Sequence, residues 1–224
     1  MTQLNAAKST MKRVEIVFDL IYLFTVLTSA AILYSTARSG DLRWQFALMS
    51  FILGVGDSFH LIPRIYSIMD RNNRDYTALL GIGKFITSIT MTIFYVFLWE
   101  IGKSYYNFNS NIYITIIVYG LAVMRFLLCI FPQNEWMDKA PSAKWAIIRN
   151  IPFLVLGMMV MLLYMTGAYK YGGSLSFLWL AVLISFAFYI PVVLFARTNP
   201  KVGMLMLPKS CAYVVIVLMG FSII

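Results

Sequence analysis

The chain reads as a succession of apolar blocks parted by short polar breaks. Seven blocks can be drawn near 14–37, 43–65, 76–100, 111–132, 145–168, 174–197 and 203–224. Each is about 20–25 residues long, the length that spans a hydrocarbon core. Apolar residues run together inside them and do not alternate, which excludes a porin-type barrel. In lipid every backbone polar group must be satisfied within its own segment, so each block is predicted to be an α-helix. The breaks carry turn chemistry: Ser39-Gly40-Asp41, Asp70-Arg71-Asn72-Asn73, Asn107-Phe108-Asn109-Ser110, Gly172-Gly173-Ser174 and Thr198-Asn199-Pro200. The expected fold is an all-α integral membrane protein, one domain over 1–224, bundled from seven transmembrane helices. The first block contains Asp19 and continues past any small-residue cleavage site, so it reads as a retained helix.

Composition agrees. Hydrophobic residues make up 61% of the 224 and charged residues 12%, where soluble globular proteins carry about 25% charge. Mean hydropathy is +0.79. A soluble enzyme, a DNA-binding domain, a coiled coil and a disordered tail are excluded. The net charge of +9 would suggest nucleic acid in a soluble chain. Here the basic residues lie mainly in short loops, the pattern of membrane orientation and attraction to anionic headgroups, so no nucleic-acid partner is expected. Ten basic residues fall on one side: Lys8, Lys12, Arg13, Arg64, Arg71, Arg74, Lys139, Lys144, Arg197 and Lys201. Four fall on the other: Arg38, Arg43, Lys103 and Lys170. The positive-inside rule puts the N-terminus in the cytoplasm and the C-terminus outside, in what reads as a bacterial cytoplasmic membrane. Cys129 and Cys211 lie in apolar blocks and read as free thiols, with neither a disulfide framework nor a zinc site. No metal or cofactor is expected, and the oligomeric state is left open.

Ionisable side chains inside a membrane are costly and point to function. Asp19, Asp57, Lys84, Arg125, Arg149 and Lys209 all fall in the same, cytoplasmic half, roughly 6–12 Å from that end at 1.5 Å per residue. Their common depth predicts one polar cavity opening to the cytoplasm or inner leaflet. Asp57, His60 and Arg64 share a helical face by spacing, as do Glu15, Asp19 and Tyr22. Lys84, Ser88 and Tyr95 approximate a third. Gly54 and Gly56 allow a neighbouring helix to approach closely. Asp57 and His60 could supply a general base and a proton carrier. Against this stands a structural reading: Asp19–Lys84 or Asp57–Arg125 as buried ion pairs that fix packing, His60 as an interhelical donor, and Arg64, Glu15 and Arg149 reaching to water. Pro152 and Pro191 are expected to kink their helices.

Gly56-Asp57-Ser58-Phe59-His60-Leu61-Ile62-Pro63-Arg64 resembles the Gly-Asp…Leu-Pro-Arg signature of the YhhN/lysoplasmalogenase family of small polytopic membrane hydrolases. Gly83, Phe85, Ser88 and Tyr95 are similar to that family's Gly-x-Phe…Ser…Tyr pattern on the next helix. Leu183-Ile184-Ser185 and Cys211-Ala212-Tyr213 resemble its later Ser and small-residue-Tyr segments. The resemblance implies hydrolysis of the vinyl ether of a lysoplasmalogen or a related lysolipid, with Asp57 in the catalytic set. Lys84, Arg125, Arg149 and Lys209 would then suit a lysolipid phosphate, joined by Ser88, Tyr213 and Arg64. The sequence departs from the family at Phe186, where a second Asp usually stands, and at Ile89, where a His is common. It also shows seven helices where the family commonly has eight. Asp19 or Glu15 and His60 are the candidates to replace the missing groups.

Three readings follow. The first is a lipid hydrolase with Asp57, His60 and Asp19 as catalytic residues. The second is a non-catalytic lipid or small-molecule binding or sensor protein on the same fold, favoured by Phe186. The third is a proton-coupled transporter, which should carry polar residues through both halves of the membrane.

Overall fold

The structure is a computed structural model that describes residues 2–38, 40–70, 72, 74–108 and 112–223, with side chains from Met11 onward except residue 200. The turn residues Ser39, Arg71, Asn73, Asn109 and Ser110, and the side chain of Lys8, lie outside the described residues.

Among the described residues the chain forms seven long helices and no strand. They are α1 (Thr2–Thr36), α2 (Leu42–Met69), α3 (Thr77–Tyr105), α4 (Ile112–Ile130), α5 (Ala143–Tyr171), α6 (Leu178–Phe195) and α7 (Met206–Met219). Seven spans are long and apolar enough to cross a membrane, the last of them running from Lys201 to Ser222 through the 3₁₀ turns that flank α7. The chain is an integral membrane protein with a seven-helix bundle fold.

Most helices outrun their apolar blocks, because a polar residue at a helix end does not interrupt the i→i−4 ladder. Breakers do. Gly172 and Gly173 stop α5 at positive φ, +65° and +100°, where an L side chain is strained. α6 starts later than the apolar pattern suggests, since Ser174–Phe177 is a turn bonded back through Ser176 N to Gly173 O at 3.2 Å. α7 is preceded by a 3₁₀ stretch, Pro200–Leu205, and Pro208 sits in its first turn, where no backbone donor is needed. Pro63, Pro152 and Pro191 lie inside continuous helices.

α1 lies between α2 and α7, α2 packs on α3, α3 on α5, α5 on α6 and α6 on α7, closing a ring; α4 packs on the α3–α5 flank. Small residues set the tightest approaches. Gly54 faces Val26 and Leu27 of α1, whereas Gly56 faces Thr90 of α3. Gly83 of α3 lies directly on the α2 backbone at Phe59 and His60. Thr87 Oγ1 seals that seam by donating to the Gly56 carbonyl at 3.0 Å. In the half remote from the α1 N-terminus, Leu33, Phe46, Leu98, Trp99, Tyr164 and Ile216 fill the centre, each at most 2% exposed. Tyr164 Oη donates to the Leu98 carbonyl at 3.0 Å within this apolar mass.

Candidate functional site

The polar half of the bundle is built first by α1 against α2. Glu15, Asp19 and Tyr22 form a stripe on α1, and Asp57 and Arg64 stand seven residues apart on α2. Antiparallel packing brings the stripes together at both ends. Tyr22 Oη donates to Asp57 Oδ2 at 2.5 Å, and Arg64 Nε donates to Glu15 Oε1. Asp19 lies between these contacts, 5% exposed, with Oδ2 buried and unpartnered. The sequence stripes on these two helices therefore meet in space, with one correction.

His60 does not share the face of Asp57. Three residues turn an α-helix about 300°, and that offset is enough to carry His60 round to α3. It lies beside the Leu80 carbonyl and against Gly83, and its Nδ1 is buried without a partner. A second correction concerns Lys84, which is exposed on α3. The inward positions at that level are Gly81 and Gly83, both buried against neighbouring backbone, so the next residue turns away. The Asp19–Lys84 pair of the structural reading does not form; the charges around Asp19 are Glu15, Arg64 and Asp57. Ser88 uses its hydroxyl on the Lys84 carbonyl at 2.8 Å.

The centre of the polar half is cationic. Arg125 enters from α4 and is 2% exposed. Its guanidinium lies 3.4 Å from the centroid of the Phe153 ring, with Nε and Nη1 buried and unpartnered. Lys209, from the first turn of α7, is 7% exposed. Its ammonium stands 4.4 Å from the Tyr189 ring and 5.1 Å from the Tyr213 ring. Lys209 lies in the field of both Asp57 and Arg125, and the Asp57–Arg125 pair of the structural reading does not form. Among the described residues no carboxylate stands at ion-pair distance from either cation. Tyr213 is buried beside them with Tyr95 and Ser185, and the three hydroxyls face one another. A buried polar atom without a partner is rare enough to require a cause, and Arg125 carries two of them, Nε and Nη1.

Arg149 is held elsewhere. Its Nη1 donates to Asn134 Oδ1 at 2.8 Å and its guanidinium lies 4.0 Å from the Trp136 ring. Asn134 in turn donates to the Leu128 and Phe131 carbonyls at 2.7 and 2.8 Å, closing the C-terminal end of α4. Arg149 and Arg64 are thus engaged by the protein itself.

Neither of the two hollows described below is lined by Asp19, Asp57, His60, Lys84 or Arg125. Desolvation favours separate solutions for them: a seam between α1 and α2, an interior cationic cluster, and an outward lysine. A polar hollow of ≈ 440 Å³ lies instead at the α2–α3 turn, bounded by Asp70, Arg74, Asp75, Tyr76 and Lys139. A narrow apolar groove of ≈ 90 Å³ lies between α5 and α6, with Phe186 and Tyr189 in its wall. Sequence reasoning gave Tyr22 and Lys209 only supporting places and overlooked Tyr189. The spacing of Tyr22 from Asp19 was the available signal; Tyr189 carried none.

Chemically, the seam offers a carboxylate held by a phenol O–H inside a membrane span, suited to moving a proton. The cluster offers buried N–H donors with no anion of their own. Among the described residues no group of three or more His, Cys, Asp or Glu side chains could hold a metal ion. Both cysteines are free, Cys129 buried and Cys211 exposed. Comparison with protein-family models, with curated proteins and with solved structures finds no match.

Proposed function

We propose that this chain is a membrane-embedded lipid hydrolase of the lysoplasmalogenase type, acting on the vinyl ether of a lysoplasmalogen or a related lysolipid. Its polar half would face the cytoplasm, in a bacterial inner membrane, as the basic-residue asymmetry implies. One observation carries the reading: the Tyr22-bound carboxylate of Asp57 stands in the field of Lys209, which is also in the field of Arg125 and its unengaged Nε and Nη1.

Vinyl-ether hydrolysis begins with proton addition to the alkene carbon remote from the ether oxygen. Water then adds to the resulting oxocarbenium carbon, and the hemiacetal collapses to a fatty aldehyde and an alcohol. Asp57 is the group to give and retrieve the proton, with Tyr22 orienting it. Asp19, one helical turn from Tyr22, is the second carboxylate available to guide water. Arg125, assisted by Lys209 and Tyr213, is the headgroup site. His60, packed against α3, and Lys84, Ser88, Arg64 and Arg149 are structural in this reading.

The test is aldehyde release from a lysoplasmalogen in reconstituted membranes, with the ester lysophospholipid run in parallel. Asp57→Asn keeps the shape and an acceptor but removes proton exchange, so turnover should fall about 10²–10⁴-fold, the worth of a positioned acid or base. Wild-type turnover by well-folded Asp57→Asn would remove the catalytic role.

A second reading is favoured by Phe186. Its ring lies on Gly157 and packs against Tyr95 at 5.5 Å and Phe153 at 5.2 Å, where the resemblance places a second Asp. A protein that binds the lipid without cleaving it would tolerate that replacement. No release from either lipid by folded wild type, with lipid binding retained, would establish it.

A further inference from the structure

The groove between α5 and α6 and the buried cations are separated by three aromatic side chains, Phe153, Phe186 and Tyr189. Ile147, Ile151, Leu154, Ile190 and Leu194 make the groove apolar, and its inner wall is Phe186 and Tyr189. On the far side of that wall, Lys209 Nζ stands over the face of Tyr189, and Arg125 lies on Phe153, the ring that packs against both Phe186 and Tyr189. Tyr189 is oriented by its own hydroxyl, which donates to Asn150 Oδ1 at 2.8 Å.

We propose that the α5–α6 groove is a lateral portal for the single acyl chain of an anionic lipid whose phosphate is held by Arg125 and Lys209. A buried guanidinium and ammonium with no carboxylate at ion-pair distance call for an anion. The only apolar indentation that adjoins them, among the cavities described above, opens sideways to lipid and not to water. A one-chain amphiphile fits both features, because its charged end would reach the donors while its chain passes out between two helices. A second chain would have no comparable track. Tyr189 is the hinge of this arrangement: its face contacts the cation, its edge lines the groove, and swinging it about its Cα–Cβ bond joins the two. Loss of the Asn150 tether should make that swing easier.

This inference takes its lipid class from the proposed hydrolase, yet it is tested on binding and needs no turnover. The protein in nanodiscs is titrated with a fluorescent 16-carbon lysophosphatidic acid, with the matching monoacylglycerol, and with inorganic phosphate. Wild type should bind the lysophosphatidic acid at least about tenfold more tightly than the uncharged lipid, the scale of one charge-assisted contact. Arg125→Gln should remove that preference. Ile151→Trp with Ile190→Trp fills the groove from the lipid side, leaving the cations in place. It should weaken the lysophosphatidic acid by about tenfold or more, the worth of displacing several methylenes, while leaving any phosphate binding unchanged. A filled groove that binds the lysolipid like wild type would overturn the portal. Equal affinity for the charged and uncharged lipids would overturn the headgroup assignment. Tight phosphate binding with no gain from the acyl chain would identify a free-anion site instead. Because this assay reads binding and the aldehyde assay reads turnover, failure of the hydrolase and failure of the portal are separately visible. Thermal melts of each variant exclude misfolding as the cause.

Discussion

Tyr22 meets Asp57 at 2.5 Å across two helices, and the contact makes a specific demand on each partner. A carboxylate in a membrane span that accepts a phenol O–H is held in one orientation and relieved of part of its desolvation cost. Tyr22→Phe should therefore lower turnover by about ten- to a hundredfold, the range for a hydrogen bond to a charged group, and by less than Asp57→Asn. Aldehyde release by the two variants, compared at equal folded fraction, checks the order; Tyr22→Phe at least as damaging as Asp57→Asn would contradict it. At the turn between α2 and α3, Asp75 accepts from Thr77 N at 2.9 Å and pairs with Lys139 at 3.1 Å. The hydrogen bonds from Thr77, then that from Lys139, hold its carboxyl at about 2, below the ordinary 3.8. A depressed carboxyl stabilises the fold above its unfolded value and loses that contribution as pH falls through the folded one. The tether should thus persist down to about pH 4 and release towards pH 2. Carbon-13 titration of Asp75 should show an inflection near 2, and Thr77→Ala should raise it more than Lys139→Met does.

Two glycines on α3 and α4 pose opposite problems to the elements that hold them. A Cβ at Gly83 would run into the α2 backbone at Phe59, which cannot move aside without separating the helices. At Gly120 of α4 nothing lies within 4 Å. Gly83→Ala should lower stability by about 1–3 kcal/mol, the usual cost of overpacking, while Gly120→Ala should leave the melting temperature unchanged or slightly higher because alanine favours helix. Thermal melts in detergent compare the pair directly. The Gly54-Val55-Gly56 stretch was legible in the sequence as a place of close approach, though not that its two glycines would serve different neighbours, α1 and α3. Helix number was legible from block length alone. The ends were less so, since Gly172 and the turn at Ser174–Phe177 act locally and leave no mark on hydropathy. The stripes of α1 and α2 were legible because helical periodicity fixes which residues share a face. His60 and Lys84 were misplaced because periodicity does not say how a face is rotated against a third helix. Lys209 and Tyr189 come together from α7 and α6, a juxtaposition set by how those two neighbouring helices are rotated against each other.

At the scale of the whole molecule, charge is distributed unevenly between the two ends. Arg64, Arg74, Lys139, Lys144, Arg197 and Lys201 gather at the end where α2 stops and α3 starts, and Arg38, Arg43, Lys103 and Lys170 at the other. A cytoplasmic N-terminus should follow. Single cysteines placed at Asn72 and Tyr171, in a background lacking Cys129 and Cys211, should report it in intact cells. An impermeant thiol reagent should label Tyr171→Cys and spare Asn72→Cys; the reverse pattern would invert the orientation.

The apolar mass formed by Phe46, Leu98, Trp99 and Ile216 has an electrical meaning as well as a packing one. A voltage across a bilayer falls over its least polarisable slab, and each elementary charge moved through all of it exchanges about 2.3 kcal/mol per 100 mV. With that apolar mass on the side of Asp57, Lys209 and Arg125 remote from the α1 N-terminus, a proton exchanged at Asp57 in the proposed reaction would go back to the compartment it came from. Turnover by the proposed hydrolase should therefore differ little between an energised and a depolarised membrane, which aldehyde release from energised and depolarised proteoliposomes would check.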